Sequence, residues 1–318
     1  MGVSEKIKAL FKRFHRDSQF KDYIRKYRRF SFVDCACKEK EQFDASIIRL
    51  YHTIEKGLSY ADYRPGFGEE NVKKLIATLE QYSQKYGCQS FSYDTALSCL
   101  LEYVSKNKEY GYNNPVLETK ISNLPGVKND YGGTILISKP SNPNTMSYEE
   151  LIKSRHSIRQ FSKEPVEQSL IVEAIKLAQY TPSACNRQSW NTRIICNKDL
   201  MKKVLSNQNG NRGFGQELDK LLLITSDLRA QQREREKFQA YIDGGMYAAN
   251  LLNALFAKGI GSIPLSASLT TEQEQNIRKC LKIKDAEVLI LFIGIGNYPE
   301  GSFLTTKSTR KPIEIEML

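Results

Sequence analysis

Histidine, long apolar runs and paired cysteines are all scarce in this sequence, and each scarcity removes a class of protein. Only three histidines occur in 318 residues, His15, His52 and His156. With so few imidazoles, neither a zinc site nor a histidine-based hydrolytic triad is expected, and the metal-ligand prediction is none. The seven cysteines (35, 37, 88, 99, 185, 196 and 280) are odd in number and scattered, which argues against a disulfide framework. Cys35 and Cys37 form a CxC step with no second Cys or His pair to complete a metal site. No stretch reaches the roughly 18 uncharged apolar residues of a membrane span. Charges every two or three residues through Arg16 leave no apolar core for a signal peptide. Together these absences predict a cytoplasmic chain held in a reducing compartment.

What is abundant is positive charge, unevenly placed. The net charge is +11. The first thirty residues carry ten Lys or Arg against three acids, so seven of those charges sit there and four in the remaining 288 residues. In residues 5–30, Ile7, Leu10, Phe11 and Phe14, then Phe20, Tyr23, Ile24 and Tyr27, recur at helical spacing opposite a basic face. Such a helix can lie on an anionic membrane surface, giving a peripheral contact at the inner face. The commoner use of such an aromatic stripe is packing against the protein's own core. A nucleic-acid partner is not expected, because the body is only mildly basic and no helix-turn-helix, RNP or zinc pattern occurs.

Along the chain, residues 41–124 read as all-helical: Ile47–Ile54 mark one helix, Val72–Leu79 a second ending near Gly87, and Leu97–Val104 a third. Between the first two, Gly57 to Gly68 is rich in Gly, Pro and aromatics and reads as a defined turn. Pro125 to Asn144 reads as a junction around the apolar run Thr134–Ile137. Ser147-Tyr-Glu-Glu150 then supplies a capping box for a new helix. Beyond it the reading is mixed: a helix over Leu170–Ala178 and short strands at Thr192–Cys196 and Leu221–Ile224. A long helix follows from about Arg235 to Lys258 with Gly259 as its stop, then a strand at Val288–Ile295 buried on both faces. Gly294-Ile-Gly296 follows that strand, but no helix pattern or distal acid completes a dinucleotide fingerprint, so that fold is rejected.

Three segments carry chemistry of another kind. Arg155-His156-Ser157-Ile-Arg159 follows the capped helix. Pro182-Ser-Ala-Cys-Asn186-Arg-Gln188-Ser-Trp190 holds the one tryptophan. Lys307-Ser-Thr-Arg310-Lys-Pro312 lies near the end. Guanidiniums with neighbouring hydroxyls suit a phosphate monoester, and an Asn/Gln loop suits the hydrogen-bonding edge of a flat heterocycle. On residue chemistry alone, solvated surface charges and a loop tryptophan explain these segments equally well.

These blocks, with Asp243-x-Gly245 and Lys258-Gly-Ile-Gly261-Ser262-x-Pro264, resemble the nitroreductase-like flavoprotein family in order and spacing over residues 148–318. The resemblance implies an α+β fold: a central, mainly antiparallel sheet surrounded by helices, here preceded by an all-helical N-terminal region. The expected division is a basic amphipathic helix at 1–30, a helical extension at 31–135 and an FMN-binding domain at 140–318. It further implies a homodimer with FMN at the interface, NADH or NADPH as co-substrate, and a ping-pong hydride transfer to a small-molecule acceptor of nitro, quinone or biosynthetic-intermediate type. The flavin N5 is the reactive atom, and no side chain need act as general base.

Carried over position by position, Arg155, Ser157, Lys307 and Arg310 would hold the phosphate and ribityl chain, with His156 along the tail. Arg159 would lie at the pyrimidine edge, where its charge favours the reduced ring. Asn186 and Gln188 would face the ring, and Pro264, Leu265, Ser266 and Ala267 would offer backbone near N5 and O4. The sequence departs from the family pattern at Ser189, where proline is usual. It departs again in the extra residue between Lys307 and Arg310, at Ser266 and Ala267, and in the highly charged stretch 227–240. His52-Thr-Ile-Glu55-Lys56-Gly57-Leu58, followed by Arg64-Pro-Gly-Phe67-Gly68, is similar to an extension on some family members linked to surface-polysaccharide biosynthesis. His52, Glu55 and Lys56 would share a helix face that closes over the flavin or forms a satisfied surface network. The competing reading of the whole is a non-catalytic FMN-binding scaffold whose N-terminal helices recruit a partner or membrane.

Overall fold

The computed structural model describes residues 20–31, 37–127, 129–232 and 234–318. The first half of the expected N-terminal helix and Cys35 lie outside them. The chain divides into two units. One comprises the described part of Met1–Glu55 with Pro65–Gly133 and Ser308–Leu318; the other comprises Lys56–Arg64 and Thr134–Lys307.

The first unit is helical: α1 over 20–30, α2 (Lys40–Leu58, to Glu55 in this unit), α3 (Glu69–Tyr86), α4 (Phe91–Glu109) and α5 (Pro115–Ser122). The spacing of Val72, Leu75, Ile76 and Leu79 puts all four on the buried face of α3, and Gly87, at φ 80°, ends it. Ser90 caps α4 by accepting from the Tyr93 amide. Asn114 caps α5 from the Leu117 amide, with Pro115 at the first position. Aromatic rings close the core: Phe43 meets Tyr82 edge-on at 6.3 Å, and Tyr82 meets Tyr93 at 6.1 Å. The stripe on α1 is not core. Phe20, Tyr23, Ile24 and Tyr27 are 41–52% exposed, which corrects the core-packing expectation for these residues.

The second unit is built on a four-stranded sheet of order β2-β3-β5-β4, antiparallel throughout: β2 (Trp190–Ile195), β3 (Lys220–Asp227), β4 (Gly261–Ser266) and β5 (Glu287–Gly296). Side chains alternate faces along each strand. Leu222, Ile224, Ile293 and Ile295 pack with α7 (Gln168–Ala178) and α9 (Gln239–Ala257). Leu221, Leu223 and Phe292 pack with α8 (Lys198–Leu205) and α10 (Thr271–Leu281). Helices on both faces explain why β5 reads as a continuous apolar run. Gly244 lets α9 lie close on β5, since a Cβ there would sit 2.7 Å from the Ile290 side chain. A second sheet pairs β1 (Thr134–Ser138) with β6 (Ser302–Thr306), again antiparallel.

The structure corrects several expectations. Thr134–Ile137 is a paired strand, because β6 supplies its partner from the far end of the chain. The long helix starts at Gln239, after a short 3-10 turn at Glu234–Glu236. The block after Gly259 runs straight into β4. Helices α8 and α10 were not anticipated, although Thr270 and Gln273 form a capping box like that of Ser147 and Glu150.

Candidate functional site

The segment 155–160 begins where α6 (Tyr148–Ser154) ends. Its capping box is present as read: the Ser147 amide donates to Glu150 Oε2 at 2.8 Å and the Glu150 amide to Ser147 Oγ at 3.3 Å. Arg155 leaves the helix in an extended conformation. The chain then lies along β4 and β6: the Ile158 amide donates to Ser262 O at 3.0 Å and the Thr305 hydroxyl to Ser157 O at 2.9 Å. Ile158 packs with Tyr298 and Phe303, which locks the segment's register. Gln160 Nε2 donates to Leu304 O at 3.2 Å and to Ser59 O at 2.7 Å, tying the segment to the loop after α2.

These ties gather positive charge. Arg159 is only 6% exposed, and its Nη1 donates to the Thr306 hydroxyl at 3.4 Å. Lys56 is half-buried; burial, and then the nearby Arg159 guanidinium, hold its ammonium pKa below the usual lysine value. Burial raises the Tyr60 hydroxyl pKa, against the opposing pull of Arg159 and Arg64, while that hydroxyl donates to Arg212 O at 2.8 Å. Burial likewise raises Tyr298, with Arg155 pulling the other way. Lys56, Tyr60 and Arg159 therefore share one neighbourhood, and Arg155 neighbours Tyr298. His156 and Ser157 are half-buried in the same segment, and Lys307 is half-buried directly after β6. Arg310 falls in the C-terminal stretch of the helical unit, exposed, donating to Ser308 O at 2.8 Å.

A second group forms on the loop 183–190. Cys185, Asn186 and Gln188 have φ of 52°, 55° and 47°, three left-handed non-glycine residues within four positions, each costing on the order of 1 kcal/mol or more. A polar lattice holds them there. The Ala184 amide donates to both Asp243 oxygens at 3.3 Å, and Gln239 Nε2 to Asp243 Oδ1 at 2.7 Å. The Gln188 amide donates to Ser183 Oγ at 3.0 Å. Gln188 Nε2 donates to Asn186 Oδ1, and Trp190 Nε1 to Gln179 Oε1 at 2.9 Å. Arg187 pairs with Glu236 at 2.8 Å, which gives the charged 227–240 stretch a structural task. Gln179 and Glu236 carried no motif in the sequence; only the contacts reveal them.

Pro264 to Ser266 lie on β4, at the sheet edge, and Ala267 follows it. Leu265 is buried among the α8 and α10 side chains. Ser266 O accepts from Gln208 Nε2 at 2.9 Å. In the helical unit, fully buried Glu55 takes His52 Nδ1 at 3.1 Å and the Gly133 amide at 3.0 Å. His52 and Glu55 thus form a satisfied pair, while Lys56 is counted with the other unit. Among the described residues no group of His, Cys, Asp or Glu could hold a metal ion, and no helix is long and apolar enough to cross a membrane.

The fold and site define an α+β protein whose sheet unit collects guanidinium, ammonium, hydroxyl and amide groups without a metal-binding cluster among the described residues. Residues 152–208 match the model of the Nitroreductase family, a span that contains the Arg155–Arg159 and Pro182–Trp190 blocks. The chain is similar, at 25% identity over 154 residues, to an Archaeoglobus fulgidus protein provisionally named NADH dehydrogenase/NAD(P)H nitroreductase. That alignment covers 48% of this chain and 84% of the relative. It is also similar to a 4-nitrobenzoate reductase of Pseudomonas putida, 29% identical over 29% of this chain and 40% of that one. Among solved structures, an FMN-dependent nitroreductase of Clostridium difficile aligns at 19% identity and a TM-score of 0.43, covering 48% of this chain and 88% of the other. The resemblance drawn from the motif blocks thus holds at the level of the nitroreductase family.

Proposed function

We propose that this chain is an FMN-dependent oxidoreductase that takes electrons from NADH or NADPH and delivers them to a small-molecule acceptor of nitro, quinone or biosynthetic-intermediate type. One observation carries the proposal: buried Arg159, with half-buried Lys56 beside it and Arg155 and Ser157 on the same tethered segment. Guanidinium, ammonium and hydroxyl groups gathered on one segment suit an anionic ligand. FMN fits this donor set, with a phosphate for guanidinium and hydroxyl groups and a ring edge that becomes negative on reduction.

Bound FMN would supply hydride acceptance and donation at N5. The chain's residues would bind and orient it. Arg155, Ser157 and Lys307 would hold the phosphate and ribityl chain, and His156 would line the tail. Arg159 would stabilise negative charge at the pyrimidine edge. Asn186, presented by its left-handed backbone, and Gln188 would meet the ring, and the backbone of Pro264, Leu265, Ser266 and Ala267 would flank it. No proton need be abstracted by a side chain, and in a ping-pong order donor and acceptor would use the same face in turn.

A homodimer completes this reading. Tyr241, Ile242 and Met246 on α9 and Ile152 on α6 expose apolar surface that a second copy would cover. The exposed aromatic stripe on α1, beside Arg25, Arg28 and Arg29, favours a peripheral contact with anionic lipid in the cytoplasm. Co-sedimentation with anionic vesicles, compared between the full chain and one lacking residues 1–30, tests that contact; equal binding removes it. The enzyme reading is tested by the visible spectrum of the FMN-loaded protein. Flavin bands that bleach on adding NADH or NADPH support it. FMN bound but never reduced by either supports the scaffold alternative instead.

A further inference from the structure

We propose that Trp190 and Gln179 fix which way round the Asn186 side-chain amide sits, so that the 183–190 loop offers its ligand a hydrogen-bond donor and not an acceptor. The matching group on the ligand is a carbonyl oxygen of the flavin ring. This rests on the FMN reading above and goes beyond it, since Gln179 lies outside the motif blocks that carry the family resemblance.

Trp190, Gln179, Gln188 and Asn186 form one chain of hydrogen bonds. Trp190 Nε1 donates to Gln179 Oε1 at 2.9 Å, Gln179 Nε2 to Gln188 Oε1 at 2.7 Å, and Gln188 Nε2 to Asn186 Oδ1 at 2.7 Å. Its direction follows from the first member. An indole N–H can only donate, whereas a side-chain amide has a donor at one end and an acceptor at the other. The indole therefore claims the Gln179 oxygen, which leaves the Gln179 NH2 to meet the Gln188 oxygen. The Gln188 NH2 must then face Asn186. A second contact requires the same arrangement: Gln188 Nε2 also donates to the Asn186 main-chain carbonyl, which can only accept, at 3.0 Å. Asn186 Oδ1 is taken up within the loop, and its Nδ2 has no protein partner among the described residues. Asn186 is exposed, so that NH2 is open to a ligand.

The relay starts from a rigid anchor. Trp190 is buried, opens β2 opposite Ser226, and stacks on Tyr247 with centroids 4.9 Å apart and planes at 13°. Gln179 is held at the end of α7, its main-chain amide donating to Ile175 O at 3.1 Å. The Gln188 main-chain amide donates to Ser183 Oγ at 3.0 Å. An isolated surface asparagine turns its amide over at little cost. Turning this one sets its NH2 against the Gln188 NH2, or reverses every amide back to an indole that cannot accept. Trp190 and Gln179 are thus positioning residues, and Asn186 is the donor.

The test titrates the full-length protein with FMN and follows flavin fluorescence. Gln179→Glu keeps the shape and still accepts from the indole, but its carboxylate cannot donate to Gln188. Gln188 then turns its NH2 to the carboxylate and its oxygen to Asn186, which reverses Asn186 and aims Oδ1 at the ligand. Gln179→Met breaks both bonds and leaves Asn186 free to turn. Gln179→Glu should weaken FMN binding about thirtyfold and Gln179→Met about threefold. A merely structural role predicts the opposite order, because methionine loses more hydrogen bonds. In an Asn186→Gly background, Gln179→Glu should change FMN affinity by no more than about twofold. A loss no greater in Gln179→Glu than in Gln179→Met, or a full loss kept without the Asn186 side chain, overturns the relay and leaves the FMN reading intact. Wild-type protein that binds no FMN overturns both. Side-chain amide NMR of the wild-type protein needs no variant to fold. Saturating FMN should slow solvent exchange of the Asn186 NH2 about tenfold; unchanged exchange contradicts the donor role.

Discussion

Two arginines of the sheet unit, Arg193 and Arg159, show how the same side chain serves opposite ends. Arg193 on β2 reaches across the sheet to Glu287 on β5, with N–O distances of 2.7 and 2.9 Å, and also donates to Thr225 Oγ1 at 2.8 Å. Its guanidinium, foremost among the causes, holds the Glu287 carboxyl below its usual value of 4.5. Arg159 is more deeply buried, yet it meets a threonine hydroxyl at 3.4 Å and lies beside Lys56. A buried cation that meets an acid belongs to the fold. Arg159, set beside a second cation, is the one that the proposed function assigns to a ligand.

The sharpest way to break this contrast is Arg193→Met. It strands Glu287, 3% exposed, without its partner and should cost ~3–5 kcal/mol in a denaturant titration. The pH dependence follows from the sign of the shift. Glu287 has a depressed folded-state pKa, so its contribution is full above about 4.5 and is lost as pH falls through the lower folded value. Wild type should lose that stability on acidification, and the variant should lack this part of the loss. Arg159→Ala should act mainly on the ligand, weakening FMN binding 10- to 100-fold, ~1.4–2.8 kcal/mol, while costing the FMN-free protein less than Arg193→Met does. If it destabilises the apo-protein as much as Arg193→Met does, the contrast fails.

Two smaller changes sharpen it. Ser147→Ala removes the α6 capping box and should cost ~1 kcal/mol, measured by thermal unfolding, with FMN affinity unchanged once folded. Cys185→Gly relieves a left-handed residue at φ 52° and should add about 0.5 kcal/mol, the relief exceeding the entropy cost of glycine. A loss of stability there would mean the loop is held by packing of the cysteine side chain.

Much of the fold could be read in advance because its signals are local. Helical spacing marked α3 and α4, the Ser147–Glu150 box marked α6, and the unbroken run Val288–Ile295 marked the central strand. Elements whose evidence is distant or faint escaped. Thr134–Ile137 becomes a strand only through pairing with β6. Helix α10 buries Ile277 alone, so its stripe is weak, and α8 has only eight residues. The same holds for the site. Arg155, Ser157 and Arg159 were legible as a motif. The joint that brings Lys56 to Arg159 runs through Ser59 and Gln160, 101 residues apart, and neither carries a motif. The α1 stripe pointed inward by base expectation and is exposed in the structure.

The central claim is that the cations around Arg159 exist to hold a flavin that changes charge. Its most direct measurement is a spectroscopic titration of the full-length protein with FMN, followed by anaerobic addition of NADH or NADPH. The account predicts saturable binding of one FMN per chain and bleaching of the flavin bands, with affinity lost in Arg159→Ala. Free-flavin spectra at every protein concentration, or an Arg159→Ala titration that overlays wild type, would contradict it.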